Sequence, residues 1–401
     1  MAKYLVLYSL VHQPRRVRLP ARPIPPGASP REMENLLFDP EMDKHYLDVI
    51  GRWCYHPACE AWQWMLDNGM KLGIGLSQSI IRQLDLWDPP LFEKFKRLAT
   101  HENAELVGVE PYHGVTLLFD LLYFIELMDG MRKKLKERFG KAPVVTDTTE
   151  MMMSSDIFAA IGKAGFKAAF MDGRPWVLQW RSPTRLYRDS GPARILVRHF
   201  DLSDDVGYRF SNRNWDGWPL MADSYAKWIA EAEGDFVVLA WDFETFGHHH
   251  DHGTGIFQFL RALPAELHKR GVECLLPSEA VEIFHDKSHR LPLPPFPATW
   301  AGVHGSMEFF LGNQLQQAVF RLMIAALNKA RLTGDEKLIE IALWLTQSDN
   351  LHWLQWVGHR GAEADVSAYF TPVSWRGMGV DRMVWEHQCV YKNFINALDG
   401  P

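Results

Sequence analysis

Acidic side chains follow two apolar runs of the sequence, at the points where those runs end. Glu150 comes after residues 144–148, and Asp242 and Glu244 come directly after Phe236–Trp241. Because an unpaired buried carboxylate costs on the order of several kcal/mol, acids beside such a run are expected to face a polar cavity. Two carboxylates from separate strands can cleave a glycosidic bond, since one protonates the leaving oxygen while the other attacks or stabilises the anomeric carbon.

Polar and aromatic residues also follow other apolar runs. His12 and Gln13 come after the first run, while Tyr112 and His113 come after the third, next to Glu110. The chain contains 16 Trp in 401 residues, and tryptophan usually packs in a core or stacks on a flat ligand. This composition hints at a sugar ligand beside the acidic residues.

Each of these residues also has a purely structural interpretation. An Asp at a strand end is often a helix N-cap, and Glu150 could be an exposed residue in a first helical turn, favoured by the helix dipole. A cluster of four histidines could ligate zinc: His248, His249, His250 and His252. Neither an HExxH motif nor a CxxC pair accompanies them, so we expect no metal site and favour contacts around a ligand.

Alternating strands and helices must position these residues. Short apolar runs, several of them apolar at consecutive positions, predict strands covered on both faces at Tyr4–Val11, Leu72–Leu76, Leu106–Val109, Val144–Thr148, Lys167–Met171, Ile195–Val197 and Phe236–Trp241. Helices are predicted between them at Met33–Trp53, Pro57–Asn68, Thr116–Phe139, Asp156–Ala164, Ala222–Glu233 and Gly255–Arg270. This alternation predicts an α/β fold with a parallel sheet, open or closed into a barrel, whose ligand binds at the carboxyl ends of the strands.

The best boundary in the chain is the segment Leu291–Pro297. It has four prolines in seven residues and can form neither a helix nor a central strand. Beyond it, helical spacing over residues 315–326, 337–345 and 380–398 predicts a helical C-terminal region. The sequence therefore predicts a catalytic barrel domain over residues 1–290 and an α-helical domain over residues 291–401 that completes the cleft.

Composition and charge exclude several classes of partner. The formal net charge is −6 with no basic block, which argues against a nucleic acid or an anionic membrane as the main partner. No run approaches the roughly 20 apolar residues of a membrane span, and Tyr4–Val11 lacks the cleavage site of a signal peptide. Four cysteines without CxxC spacing predict free thiols in the cytoplasm. No nucleotide-binding or acyl-transfer motif is present, so no cofactor is predicted, and the oligomeric state stays open.

Several motifs, in a fixed order, resemble glycoside hydrolase family 57, and most closely its short α-amylase-like branch. The motifs are His12-Gln13-Pro14, Thr149-Glu150, Trp180-Arg-Ser-Pro183, Leu202-Ser-Asp-Asp205, Tyr208-Arg-Phe-Ser211, Asp242-Phe-Glu-Thr-Phe-Gly247, Thr254-Gly-Ile-Phe-Gln-Phe-Leu260 and Leu276-Pro-Ser-Glu279. The likeness spans residues 4 to 372, nearly the whole chain. A lone HQP would be weak, but the ordered set with DxETFG is specific.

The resemblance implies an incomplete seven-stranded (β/α) barrel followed by a helical domain, acting on α-glucans with retention of configuration. Glu150 matches the family's nucleophile, Asp242 matches its general acid/base, and His12 matches a histidine beside the scissile bond. The further expected substrate-binding residues are Gln13, Tyr112, His113, Glu244, Trp180 and Asp349. We expect the partner to be an α-glucan oligosaccharide or polysaccharide, processed by hydrolysis or by glucanotransfer.

Two segments of the C-terminal region depart from the family pattern. The chain reads His304-Gly-Ser-Met-Glu-Phe-Phe310 where the branch has an acidic, Trp-containing segment, and Ser348-Asp349-Asn350 where it has Ser-Asp-His. These departures leave open a non-catalytic glucan-binding or regulatory protein. A third hypothesis is a metal-dependent hydrolase or deacetylase that uses His248–His252 with Asp242.

Overall fold

The computed structural model of the protein describes residues 3–399. Within that range the chain forms ten strands: β1 Tyr4–Val11, β2 Leu72–Leu76, β3 Ala104–Gly108, β4 Val145–Thr146, β5 Ala168–Asp172, β6 Leu186–Arg188, β7 Arg194–Arg198, β8 Phe236–Asp242, β9 Glu273–Leu275 and β10 His289–Arg290.

Seven of these strands form a closed parallel barrel in the order β1-β2-β3-β4-β5-β7-β8. The last strand returns to the first, because Phe236 to Asp242 pair in parallel with Tyr4 to Leu10. The β7–β8 seam closes through Arg198 opposite Val238. The remaining strands extend the sheet: β6 runs antiparallel to β7, β10 pairs with β6, and β9 pairs with β1. The predicted seven-stranded barrel is confirmed.

The barrel strands are apolar at consecutive positions because both of their faces are covered. Leu5, Val6 and Leu7 of β1 are all fully buried, as both faces of a parallel strand require. Close packing inside the barrel is visible at Gly75, where an added Cβ would lie 2.8 Å from the Tyr8 hydroxyl. The space that this glycine leaves lets the Tyr8 hydroxyl donate a hydrogen bond to Asp147, at 2.9 Å, just beyond β4.

Nineteen α-helices lie within residues 3–399: α1 Pro30–Leu37, α2 Pro40–Ile50, α3 His56–Asp67, α4 Gln78–Trp87, α5 Pro89–Thr100, α6 Leu121–Phe139, α7 Ser155–Lys163, α8 Pro175–Leu178, α9 Phe200–Gly207, α10 Ala222–Glu231, α11 Ile256–Lys269, α12 Pro277–Phe284, α13 Glu308–Leu311, α14 Gln314–Thr333, α15 Glu336–Leu345, α16 Asp349–His352, α17 Ala362–Tyr369, α18 Val373–Arg376 and α19 Val380–Ala397. None of these helices is long and apolar enough to cross a bilayer.

The described chain falls into two compact units. The first contains residues 3–13, Tyr46–Pro111 and Leu122–Trp300, and holds the barrel. The second contains Pro14–His45, Tyr112–Leu121 and residues 301–399, and is mainly helical, as the C-terminal pattern predicted. Two excursions from the N-terminal part of the chain thus belong to the helical unit, while the division at residue 290 stays a prediction.

The predicted helix Met33–Trp53 is wrong as a single element. Helix α1 ends at Leu37 and α2 begins at Pro40, because the residue before a proline is disfavoured in helical conformation. Asp39 instead accepts a hydrogen bond from the Met42 N–H at 3.2 Å. Between β2 and β3 the structure adds α4 and α5, which the sequence analysis did not predict. Ser77 and Asp88 cap these two helices.

Candidate active site

Glu150 lies at the carboxyl end of β4 in an uncommon backbone conformation. It is part of a single 3₁₀ turn, Thr149–Met151, and has φ 55° and ψ 30°, while the next residue, Met151, has φ 49°. Left-handed conformations at residues other than glycine cost on the order of 1–3 kcal/mol each and persist only where the surroundings enforce them. The interpretation of Glu150 as an ordinary first-turn helical residue is therefore wrong.

The segment that follows the prolines holds Glu150 in place. The Trp300 indole N–H donates to the Glu150 carboxylate at 2.9 Å, and the Thr299 hydroxyl donates to the Glu150 carbonyl at 2.6 Å. Met153 and Ala298 form a bridge a few residues away, with N–H to O distances of 2.8 and 2.9 Å. Both the backbone and the side chain of Glu150 are thus fixed by residues about 150 positions further along the chain.

Asp242 is the last residue of β8 and has ordinary extended geometry. It lies opposite Leu10 of β1, with φ −64° and ψ 140°, and its side chain does not cap the short turn Phe243–Thr245 that follows. The N-cap interpretation is therefore wrong for this residue. Strand register brings Asp242 to the carboxyl end of the barrel, beside the end of β1, which His12 follows.

Glu244, two residues further on, is buried and hydrogen-bonded. The Tyr55 hydroxyl donates to its carboxylate, and the Gln13 side chain donates to the same oxygen at 3.3 Å. Burial, followed by the charge of Glu244, raises the pKa of Tyr55 well above its usual value, so the phenol stays a neutral donor. These contacts connect the end of β1, through Gln13, to the turn after β8.

His12 is oriented by a hydrogen bond to the cap of a neighbouring helix. Its Nδ1 lies 2.8 Å from the Ser77 hydroxyl, and that hydroxyl accepts the Ile80 N–H at the start of α4. Fixing one ring nitrogen determines the direction in which the other nitrogen points. The structure therefore brings His12, Gln13 and Glu244 together at neighbouring strand ends of the barrel unit.

The charges of both candidate acids affect the pKa of Tyr208. Tyr208 is 63% exposed, but the protein around its phenol desolvates it and so raises the pKa of Tyr208. The negative charges of Asp204, Asp242 and Glu150 raise this pKa further, while the positive charge of Arg198 lowers it. Charges act appreciably only over about 10 Å in salt solution. The parallel pairing of the barrel strands independently places the ends of β4 and β8 at the same, carboxyl, end of the barrel.

A buried arginine connects the strands that carry this region. Arg198 of β7 donates to Asp172 at 2.9 Å, to Asp204 at 2.5 Å and to the Ala240 carbonyl at 3.0 Å. Its guanidinium carbon lies 5.9 Å from the Trp300 ring centre. Burial alone would lower the pKa of Arg198, but the two carboxylates outweigh it and raise the pKa. The positive charge is therefore permanent and compensated.

Three of the predicted substrate-binding residues lie in the helical unit. Tyr112 packs edge-on against Trp344, with ring centres 4.6 Å apart, and His113 has a left-handed φ of 53°. The His113 carbonyl accepts the Ser348 N–H at 3.0 Å, so this pair lies beside the segment that contains Asp349. The structure brings these three residues close to one another within their own unit. Trp180, in the barrel unit, is 83% exposed.

The histidine cluster after β8 serves the local fold. His250 lies 2.8 Å from the Ser211 hydroxyl and 3.1 Å from the Gly207 carbonyl, and His252 lies 3.2 Å from the Trp53 carbonyl. Burial lowers the pKa of His249 to about 3, helped by its two histidine neighbours. Among residues 3–399, no group of three or more His, Cys, Asp or Glu side chains is arranged to hold a metal ion.

Sequence reasoning assigned no role to four residues of this region. Trp300, Tyr55 and Arg198 hold the strand ends, and the charges of both acids help to raise the pKa of Tyr208. Tyr208 stands within a motif of the family resemblance, which is a signal that could have found it. No spacing rule connects Trp300 to Glu150 or Tyr55 to Glu244, because the partners are separated by 150 and 189 positions.

Comparisons with known proteins place this geometry among carbohydrate-active enzymes. The model of "Glycosyl hydrolase family 57" matches residues 8–294. A protein named "Putative alpha-amylase" from Methanocaldococcus jannaschii is 31% identical over 354 residues, covering 86% of this chain and 75% of that protein.

Two solved structures are similar in fold. The GH57-type branching enzyme from Pyrococcus horikoshii has a TM-score of 0.61 at 15% identity, covering 98% of this chain and 96% of that one. The 4-alpha-glucanotransferase from Thermococcus litoralis has a TM-score of 0.56 at 13% identity, covering 98% of this chain and 60% of that one.

Proposed function

The chain belongs to glycosyl hydrolase family 57, and from that membership we propose that it acts on α-1,4-glucans of the maltodextrin or glycogen type. The name of its 31% identical relative, "Putative alpha-amylase", supports this substrate class. The names of the two similar structures, a branching enzyme and a 4-alpha-glucanotransferase, are the reason that the proposal covers both hydrolysis and transfer.

The proposed reaction is a double displacement with retention of configuration. The Glu150 carboxylate attacks the anomeric carbon while Asp242 gives its proton to the leaving glycosidic oxygen, so one C–O bond forms as the other breaks. Asp242, now a carboxylate, then takes a proton from water or from a sugar hydroxyl, and that oxygen displaces Glu150. Water gives hydrolysis, whereas a sugar hydroxyl gives transfer.

The observation that carries this assignment is the way Glu150 is held. Its left-handed backbone and its hydrogen bond from Trp300 keep the carboxylate in one orientation, at a conformational cost that is typical of functional sites. Retention needs the two carboxyl groups about 5 to 5.5 Å apart. Glu150 and Asp242 follow or end two strands of one parallel barrel at its carboxyl end, which supports such a shared location.

Further residues are proposed to bind the substrate around these acids. We assign His12 to the subsite beside the scissile bond, and the other proposed contacts are Gln13, Glu244, Tyr112, His113, Trp180 and Asp349. Both chemical steps use only carboxyl groups and hydroxyl oxygens, so the proposal assigns no cofactor. The four free thiols suit a reducing compartment, and we place the protein in the cytoplasm.

The test is the product pattern of the purified protein with maltoheptaose and amylose, read by chromatography, with the product anomer read by NMR. We expect shorter or rearranged maltodextrins, released first as the α-anomer. Glu150→Gln should lower the rate by at least about 10²- to 10⁴-fold, as expected for a positioned catalytic group. An unaffected variant, or a product released first as the β-anomer, would overturn the assignment.

The non-catalytic alternative has an observation of its own in the two departing segments around His304 and Asn350. It predicts saturable maltodextrin binding by calorimetry without any product from either substrate. For the metal-dependent alternative, residues 3–399 offer no group of three His, Cys, Asp or Glu side chains arranged to hold the ion.

A further inference from the structure

Three large aromatic side chains of the barrel unit are exposed near the candidate site. Trp180 is 83% exposed, Phe296 59% and Trp176 39%. Trp176 and Phe296 are stacked, with ring centres 5.8 Å apart and an interplanar angle of 18°. Exposed aromatic rings grouped in this way usually mark a binding surface.

Trp180 is presented as a rigid platform. It follows the short helix α8 and Gln179, which has φ 56°, an uncommon value for a residue other than glycine. The Arg181 guanidinium lies 4.7 Å from the centre of the Trp180 ring, and the same group donates to the Arg290 carbonyl at 3.1 Å. The guanidinium also donates to the Leu178 carbonyl at 3.5 Å, so two backbone carbonyls hold it against the ring, and most of the indole stays exposed.

The segment that carries Phe296 is equally rigid. Its four prolines restrict the backbone, while Leu291 and Leu293 are buried and anchor it. The Pro294 carbonyl accepts the Ser155 N–H at 2.9 Å, which joins the segment to the start of α7. A surface that is ordered before binding loses little conformational entropy when a ligand arrives.

One chain segment connects the exposed aromatic residues with the residue that holds Glu150. Phe296 stands four residues before Trp300, whose indole donates to Glu150, so a distance of at most about 14 Å separates the two aromatic residues. In the other direction, Arg290, which accepts from Arg181 beside Trp180, stands six residues before Phe296, or at most about 20 Å away. The segment from Arg290 to Trp300 therefore links the three exposed rings to the candidate nucleophile: Phe296 lies on it, Trp176 stacks on Phe296, and Arg181 beside Trp180 donates to it.

We propose that Trp176, Phe296 and Trp180 form an outer glucan track, which binds sugar units of a long α-glucan chain beyond those at Glu150. The proposal rests on the proposed function and specifies its substrate as a chain long enough to reach the track. A pyranose ring stacks on an exposed indole or phenyl face, as flat apolar surfaces do.

A glucan fits this surface better than a protein partner does. Each aromatic side chain buries at most about 250 Å². Three partly exposed rings therefore offer less than the roughly 800 Å² that each partner buries in a stable protein interface. A sugar chain needs only successive rings at intervals, which is what the track supplies.

The experiment measures kcat/KM for maltooligosaccharides of increasing length, from maltotriose to maltoheptaose and amylose. For the wild type we expect kcat/KM to rise with length. In Trp176→Ala and Trp180→Ala this rise should flatten, with a loss of about tenfold on the longest chains that appears in KM rather than in kcat. Trp180→Phe keeps an aromatic face and should restore most of the rise.

The matched control is Trp385→Ala in α19 of the helical unit, which removes another exposed indole, 58% exposed. It should behave as the wild type at every length, and melting curves of all variants verify that they fold. The proposal would be overturned if kcat/KM of the wild type did not rise with chain length, or if it rose equally in both track variants.

Calorimetry with maltoheptaose separates this inference from the catalytic assignment. In the Glu150→Gln background we expect Trp176→Ala to weaken binding by about tenfold. If no variant of the protein shows turnover but the track variant still weakens binding, the track stands and the catalytic proposal fails. If Glu150→Gln abolishes turnover while the track variants bind as Trp385→Ala does, the catalytic proposal stands and the track fails.

Discussion

The carboxyl ends of β4 and β8 each carry an acidic residue, but they hold it in different ways. At β8, Asp242 simply continues a regular strand that is paired along its whole length with β1. At β4, a strand of only two residues is followed by a left-handed turn that contains Glu150. The first acid is placed by register, and the second is placed by side-chain contacts from a distant segment.

This difference has a consequence for mechanism. A carboxylate fixed by an indole donor and two backbone contacts has little freedom, which suits a nucleophile that must meet one carbon atom. An acid/base group instead needs to exchange protons with its surroundings, and Asp242, like Glu150, is only partly buried. The proposal assigns the nucleophile to the end whose acid is held by the hydrogen bond from Trp300.

The largest expected effect separates these roles through the leaving group. Asp242→Asn should lower the rate on maltoheptaose by about 10²- to 10⁴-fold, because the leaving sugar oxygen loses its proton donor. An aryl α-maltoside with an acidic phenol leaves without protonation, so the loss of its first step should be much smaller. Pre-steady-state release of the phenol is the measurement.

Glu150→Gln provides the contrast for that measurement. Without the nucleophile both substrates should lose their first step to a similar degree. If Asp242→Asn slowed the first step equally for maltoheptaose and the aryl maltoside, Asp242 would not act as the proton donor, and the two strand ends would not differ in role.

The same contrast explains what the sequence could predict of the fold. The barrel strands were recognisable because burial on both faces makes them apolar at consecutive positions, as in Phe236–Ala240. The helix break at Phe38 and Asp39 was missed because apolar periodicity continues across it, although Pro40 was visible. Closure of the sheet into seven strands came from the family resemblance, since neither strand periodicity nor strand count distinguishes an open sheet from a closed one.

For the site, residues at the ends of long strands were predictable, whereas the residues that hold them were not. Asp242 and His12 follow directly from strand endings. The hydrogen bond from Trp300 to Glu150 depends on where the proline-rich segment returns to the barrel, and only the folded chain determines that. Arg198 likewise reads as part of a strand, although its partners Asp172 and Asp204 belong to other elements.

The second prediction is that the stability of the fold in acid depends on His249, which follows β8. The pKa of His249 is lowered from 6.5 to about 3, so the folded protein keeps this ring neutral while the unfolded chain binds a proton below pH 6.5. The contribution to stability is fully present above pH 6.5 and is lost as the pH falls towards 3. Between pH 6.5 and pH 5 the free energy of unfolding should fall by up to about 2 kcal/mol for this residue.

His249→Asn removes this titration and should flatten the dependence of the urea midpoint on pH between 7.5 and 5. The exposed His268 provides the control, because His268→Asn removes a histidine from the outside of α11. Some slope should remain in His249→Asn, since burial also lowers the pKa of His248 and of His250. A variant whose acid sensitivity equals that of the wild type would show that the β8 end is not the sensitive region.

The smallest effect should come from the indole that holds Glu150. Trp300→Phe keeps an aromatic ring beside Arg198 but removes the N–H that donates to the carboxylate. We expect kcat/KM to fall by about tenfold, which corresponds to about 1.4 kcal/mol, near the lower end for a hydrogen bond to a charged group. A carboxylate that loses a donor is protonated more readily, so the acidic limb of the pH–rate profile should move to higher pH.

Trp241→Phe tests whether the loss of an indole N–H at the β8 end also moves the acidic limb of the pH–rate profile. It removes an indole N–H that donates to the Ser203 carbonyl at 2.8 Å, beside Asp242 rather than Glu150. Its melting temperature should fall, but its acidic limb should stay in place, because no carboxylate loses a donor. If both variants moved the acidic limb equally, the indole at Trp300 would act through general packing, and Glu150 would be held by its strained backbone alone.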